Sequence, residues 1–203
     1  MKILVFDTET TWFINKKDPH LNKQPYIIQF AWILWEIDKE KNFLEKERKD
    51  IFFKPPIPIP YDSSQVHHIY DVDVKDKQYI TEKIDELMWF ISEADILVGH
   101  NIEYDEMMLD IELRRCWKKH LYNPSQVICT MKETVDFCAL LGNGQRYKYP
   151  KLWELYKKLF WEYFIWAHDA MTDVEATLKC FIESYKRNII VLKEQNNQVI
   201  SLF

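Results

Sequence analysis

The sequence predicts an α/β protein with a mixed central sheet of about five strands flanked by helices. Segments rich in branched and aromatic residues come early, and beyond residue 80 short apolar runs alternate with amphipathic helical repeats. With 203 residues, 47% of them hydrophobic, the chain suits one domain over 1–190, followed by a polar tail at 191–203.

Residues 2–7 read as a central strand and "PYIIQFAWILWEID" (25–38) as a long second strand. Segment 42–54 is expected to pair with it antiparallel. The stretch "PPIPIP" (55–60) cannot donate to a sheet ladder and reads as an extended connection. Ile84, Leu87, Met88 and Ile91 recur at helical spacing and predict a helix over about 81–93, before a short buried strand in "DILVGH" (95–100). An amphipathic helix near 104–119, an extended segment at 126–130, helices at about 131–140 and 151–160, and a long helix from about 170 to 188 complete the reading.

A net charge of −5 excludes the broad basic surface of proteins that coat nucleic acid. It leaves room for an enzyme that holds a strand end, because an acidic site changes sign once divalent cations fill it. No apolar run reaches the length of a membrane span, and the amino terminus opens on a strand rather than on a secretion-signal pattern. Cys116, Cys129, Cys138 and Cys180 form no CxxC pair, which suits core thiols in a reducing compartment, and a cytoplasmic location is expected.

In "FDTETTW" (6–12), Asp7 and Glu9 lie two apart at the end of an apolar strand and project to the same side. Two adjacent anions need compensation. Asp105, in "GHNIEYDEMML", lies at the opening of a helix just after a buried strand. Asp173, in "HDAMTDVEAT", falls in the first turn or so of the last helix, with Asp169 or Thr172 as N-cap and Thr172 and Glu175 spaced as a capping box. Four carboxylates thus gather where sheet ends meet helix starts, the usual place for sites in α/β folds. Oxygen-only ligands suit hard cations, Mg²⁺ or Mn²⁺. Two such ions about 4 Å apart can activate a water and stabilise the leaving oxygen of a phosphodiester. His168, five residues before Asp173, is placed to take the proton from that water.

Taken together, "FDTET", "GHNIEYD" and "HDAMTD" resemble the three motifs of the DEDDh family of 3′–5′ exonucleases, with its RNase H-like fold, and within it the proofreading (epsilon) branch of bacterial replication. The similarity runs over about residues 2–187 and extends to "VHHIYD" (66–71) and "PKLWELYKKLF" (150–160). It implies that Asp7, Glu9, Asp105 and Asp173 hold two metal ions and that His168 is the general base. It places the main chain around Thr8 and Thr10 near the terminal sugar and base, and Asn101 near the phosphates. His100 and Tyr104 could simply pack the motif, and His67 and His68 have the family's loop as context but no assigned chemistry. Separately, "RYKYPKLWELYKK" (146–158) interleaves basic and aromatic residues, a composition suited to nucleic acid. Arg146 and Lys148, expected in a loop, are its better contact candidates, while Lys157 and Lys158 suit a solvated helix face.

Three tryptophans depart from the family pattern. Trp12 and Trp161 stand where glycine is usual, and Trp166 where a small residue is usual. The chain holds 3 glycines and 8 tryptophans, whereas ordinary glycine usage of about 7% would give roughly 14. Position 161 follows a helix end, where a left-handed residue is commonly glycine. The pattern suggests UGA codons that the source reads as glycine, here translated as tryptophan. Trp32, Trp35, Trp89, Trp117 and Trp153, which fall in expected strands or helices, are left open.

The tail segment "QVISLF" (198–203) resembles the short peptides by which replication proteins dock on the bacterial sliding clamp, with Gln198, Leu202 and Phe203 as anchors. A tail strand packed on its own domain is the competing reading. The function expected is a metal-dependent 3′–5′ exonuclease that releases nucleoside 5′-monophosphates from a 3′ end, single-stranded DNA above all, in proofreading or repair, with the clamp and a replicative polymerase as partners. Two alternatives stay open: a 3′–5′ exoribonuclease acting on RNA ends or oligoribonucleotides, and a catalytically impaired module that binds polymerase or clamp.

Overall fold

The structure is a computed structural model that describes residues 1–38, 40, 42–122, 124–142, 144, 146–163 and 168–192. Trp166 and the tail anchors Gln198, Leu202 and Phe203 lie outside the described residues. Five strands, β1 (Lys2–Thr10), β2 (Ile27–Ile37), β3 (Phe43–Phe52), β4 (Ile96–Gly99) and β5 (Val127–Cys129), form one sheet in the order β3-β2-β1-β4-β5. The first three are antiparallel neighbours, and β4 and β5 join β1 in parallel. The mixture follows from the connections. A few residues link β2 to β3, whereas β4 and β5 are each reached through a helix, as parallel neighbours require.

Eight α-helices accompany the sheet among the described residues: α1 (Tyr61–His67), α2 (Asp71–Val74), α3 (Ile80–Glu93), α4 (Ile102–Arg115), α5 (Thr130–Glu133), α6 (Val135–Cys138), α7 (Leu152–Phe160) and α8 (Ala170–Lys186). Strand alternation sorts the two faces of β1. Leu4 and Phe6 enter a core with Ile84, Leu87 and Met88 of α3 and Met108 and Leu109 of α4. Ile3 and Val5 point the other way, onto Val174, Leu178 and Phe181 of α8. A smaller cluster, Leu152, Leu155 and Leu159 with Ala176 and Cys180, packs α7 against α8. All four cysteines are free, and among the described residues no helix is long and apolar enough to cross a membrane.

The strands and the long helices fall where the sequence predicts them. Two features differ. Helices α1 and α2 follow the proline segment unannounced, and the single helix expected at 131–140 is two short ones interrupted at Thr134, where φ is −111° and ψ 11°. A buried ion pair secures the loop that joins β1 to β2. Glu112 Oε1 accepts the Ile27 N–H (3.1 Å) and one Arg115 N–H (2.8 Å), while Arg115 donates to the carbonyls of Leu21, Gln24 and Pro25. Further Arg115 donors are satisfied in this way, which offsets part of the cost of burying the charge, while Glu112 Oε2 is buried without a hydrogen-bond partner among the described residues.

Candidate active site

β1 outruns its parallel neighbour. Only Ile3, Leu4 and Val5 pair with β4, whereas pairing with β2 continues to Thr10. On the β4 side, the last part of β1 is therefore free to meet side chains from helix starts. Asp105, in the first turn of α4, fills this place. Its Oδ1 accepts both the Thr8 N–H (3.0 Å) and the Thr8 hydroxyl (2.6 Å), and its side chain is buried. Across the sheet, Asp173 lies in the first turn of α8. Asp7, Glu9 and Asp173 are half-buried and offer one carboxylate oxygen each, all within 4.8 Å of one another.

The start of α8 is fixed by a polar relay. Asp169 is the N-cap: its Oδ2 accepts the Thr172 N–H (3.0 Å) and the Thr172 hydroxyl (2.8 Å). This settles the choice between Asp169 and Thr172. The box spaced on Thr172 and Glu175 does not form, because Thr172 lies inside the first turn rather than at the cap; Glu175 pairs with Arg48 of β3. Behind Asp169, fully buried Gln29 of β2 donates to Asp169 Oδ1 (2.9 Å) and to Asp50 Oδ1 of β3 (2.9 Å) and accepts the Ala170 N–H (3.2 Å). One amide thus joins two strands to the helix start that carries Asp173. Sequence reasoning passed over Gln29 and Asp50; the available signal was a lone amide in an otherwise apolar strand.

The electrostatics are those of crowded anions. Burial, followed by repulsion from Asp105, Asp173 and Glu9, holds the Asp7 carboxyl well above the usual carboxylate range. Burial and then Asp173 do the same for Glu9. Burial pushes Asp105 up to about 7, against the lowering effect of the Thr8 hydrogen bonds. A divalent cation relieves this repulsion, and an all-oxygen donor set drawn from two elements fits a hard ion. The residues present therefore fit Mg²⁺ or Mn²⁺, with Asp7, Glu9 and Asp173 as the assembled ligands and Asp105 beside them.

The remaining candidates separate into groups. His168 is half-buried with a left-handed backbone (φ 42°), and burial, then His68 and Lys151, lower its proton affinity. Tyr104 holds the end of β1: its hydroxyl lies 2.8 Å from the Thr10 hydroxyl, and the Trp12 carbonyl oxygen is within hydrogen-bond reach of both and accepts from whichever does not donate to the other. Ser63 of α1 donates to the Thr11 carbonyl (2.6 Å), so the unforeseen helix also steadies this segment. Asn101 is exposed at the head of α4 in a left-handed conformation (φ 69°), which asparagine tolerates. His100 is structural. Its ring nitrogens lie 3.0 Å from Thr130 Oγ1 and from the Pro150 carbonyl oxygen, and burial lowers its pKa to about 4. His67 is buried, its Nδ1 accepting the Ile69 N–H (3.1 Å). Arg146 and Lys148 are exposed in the loop before α7, where Lys148 pairs with Glu154 (2.6 Å).

The exonuclease (RNase T) family profile matches residues 4–181, most of the chain and every motif that carries a carboxylate. The chain belongs to this exonuclease family. Its curated relatives include the DNA polymerase III epsilon subunit of Pasteurella multocida, 27% identical over 143 residues, covering 70% of this chain and 53% of that protein. The epsilon subunit of Haemophilus influenzae is 29% identical over 96 residues, 47% of this chain and 36% of the relative. The matches thus span about half or less of the length of these relatives. Among solved structures, the exonuclease fold of this chain is shared by E. coli exonuclease I bound to a dT13 oligonucleotide, with TM-score 0.70, 18% identity, and coverage of 92% of this chain and 41% of that one. It is shared too by a 3′-exonuclease that recognises the 3′ end of a histone mRNA stem-loop, with TM-score 0.67, 13% identity, and coverage of 93% and 83%. At these identities the structures establish the fold alone, an RNase H-like mixed sheet flanked by helices.

Proposed function

We propose that this exonuclease domain is a metal-dependent 3′–5′ exonuclease that removes nucleoside 5′-monophosphates from the 3′ end of single-stranded DNA, in proofreading or repair. The observation that carries the reading is the convergence of Asp7, Glu9 and Asp173, with Asp105 held at Thr8 beside them. Divalent cations held by these carboxylates would supply charge neutralisation and an acidified water at the scissile phosphate. The chain's own groups do the rest. His168, kept neutral by its lowered proton affinity, accepts the proton of the attacking water. The backbone around Thr8 and Thr10, fixed by Asp105 and Tyr104, seats the terminal nucleotide. Asn101 and Arg146 approach the phosphates, and Lys148 joins them when it leaves Glu154. The resemblance to DNA polymerase III epsilon subunits favours DNA over RNA. The tail peptide 198–203 would tether the enzyme to a sliding clamp near the polymerase.

The test is mononucleotide release from 3′-labelled and 5′-labelled single-stranded DNA and matched RNA, with Mg²⁺ or Mn²⁺. The chain as written is assayed beside a combined Trp12→Gly, Trp161→Gly, Trp166→Gly version. Expected are immediate release of the 3′ label, progressive shortening of the 5′-labelled strand and a preference for DNA. Asp7→Ala should abolish release, and His168→Gln should lower kcat by about 10²–10⁴-fold. Release that begins at the 5′ end, or that survives Asp7→Ala, overturns the mechanism. Faster RNA degradation transfers the reading to an exoribonuclease, and binding without hydrolysis in both versions transfers it to a non-catalytic module.

A further inference from the structure

Backbone with φ between about +50° and +70° suits glycine, is tolerated by asparagine and is costly for a bulky side chain. Among the described residues, His68, Asn101, Trp117, Ala139, Trp161, His168 and Asn188 have positive φ, and only one glycine, Gly144, does. Two of these positions are tryptophans, and both end a helix.

After α4, Trp117 (φ 58°) donates its N–H to the Arg114 carbonyl (3.2 Å), and Lys118 donates to Leu113 (2.8 Å). These are the two hydrogen bonds of a Schellman motif, with Trp117 at the left-handed C′ position where glycine is favoured. After α7, Trp161 (φ 61°, ψ 19°) donates to the Lys157 carbonyl (2.8 Å), the single bond of the simpler left-handed cap. Helix α8 closes with the same pair of bonds as α4, but with Asn188 at C′. The indoles gain nothing in exchange for the strain. Trp117 is 91% and Trp161 84% exposed, more than any other large hydrophobic residue described. Trp32, by contrast, is 1% exposed and packs on Phe30 and Phe90, and Trp35 packs on Phe43. The fold thus uses those two indoles, while at 117 and 161 it uses only a backbone.

We infer that residues 117 and 161 are glycine in the native protein, encoded by UGA in a genetic code that assigns this codon to glycine. The structure separates Trp117 from the tryptophans that sequence alone leaves open, and supplies for Trp161 a reason independent of family pattern. Trp12, whose φ is not positive, gains no such support. The inference does not depend on the reaction proposed above, and its test involves no hydrolysis.

Three readouts test it. The gene is expected to carry UGA at both positions, and UGG at either overturns the assignment there. Peptides spanning 117 and 161 from the natively expressed protein are expected at the glycine mass, and the tryptophan mass overturns the inference. In recombinant protein, Trp117→Gly and Trp161→Gly are each expected to raise Tm by a few degrees, because strain is removed and almost no buried surface is lost. A lowered Tm for both would show that the indoles make stabilising contacts and would overturn the structural argument.

Discussion

Asp105 owes its place to a threonine. Both donors of Thr8, main-chain N–H and hydroxyl, converge on its Oδ1, and these bonds oppose the burial that pushes its pKa up. A hydrogen bond to a charged acceptor is worth about 1.5–3 kcal/mol. Thr8→Val keeps the branched shape and the N–H but removes the hydroxyl, so the half-saturating Mg²⁺ concentration is expected to rise about tenfold or more, whereas Thr8→Ser keeps the hydroxyl and should stay near wild type. Titration calorimetry near neutral pH reads the difference, and equal affinities for all three would show that Thr8 does not tune the site. At this scale the sequence was most informative about charge. Carboxylates at a strand end and at two helix starts are conspicuous because charge there needs an explanation. Gln29 carries no charge and lies within apolar neighbours, so its threefold role emerges only when β2, β3 and α8 are brought together.

Among the elements, α8 shows how a helix start is positioned from outside. Gln29→Ala removes two donors and one acceptor at a buried junction, leaving the Ala170 N–H unsatisfied and Asp50 and Asp169 without their shared donor. A loss of about 2–4 kcal/mol is expected, which for a chain of this size lowers Tm by roughly 4–16 °C. Thermal unfolding checks it, and a shift below one degree would show that the relay bears little load. The long strands and helices were legible because apolar spacing repeats through them. α1 and α2 were not, since 7 and 4 residues are too short to display a helical period. The apolar pattern at 131–140 does not report the backbone turn at Thr134 that divides α5 from α6.

For the whole molecule, the anionic site couples stability to pH and to cations. Asp7, Glu9 and Asp105 have folded-state pKa values raised chiefly by burial, so the folded chain binds more protons than the unfolded chain between the usual carboxylate range and about pH 7, where Asp105 titrates. Relative to the ionised site, the stability contributed by protonation is fully present below that range and is lost as pH rises through the folded values. Without divalent cations, Tm is expected to be lower near pH 8 than near pH 5. Mg²⁺ or Mn²⁺ should restore several degrees near pH 8 and little near pH 5, because the ions bind only the ionised carboxylates. A cation-independent Tm near pH 8 would show that the cluster is not an ion site.

The carboxylates also have an order in time. Asp7 and Glu9 leave the ribosome first, Asp105 follows with α4, and Asp173 arrives with α8, the last described helix. A nascent chain can lay down β1 and its neighbours without the complete set of four carboxylates. The set closes only when α8 docks on Ile3 and Val5 of β1. Synthesis in chain order therefore delays the gathering of these carboxylates until the last described helix is made.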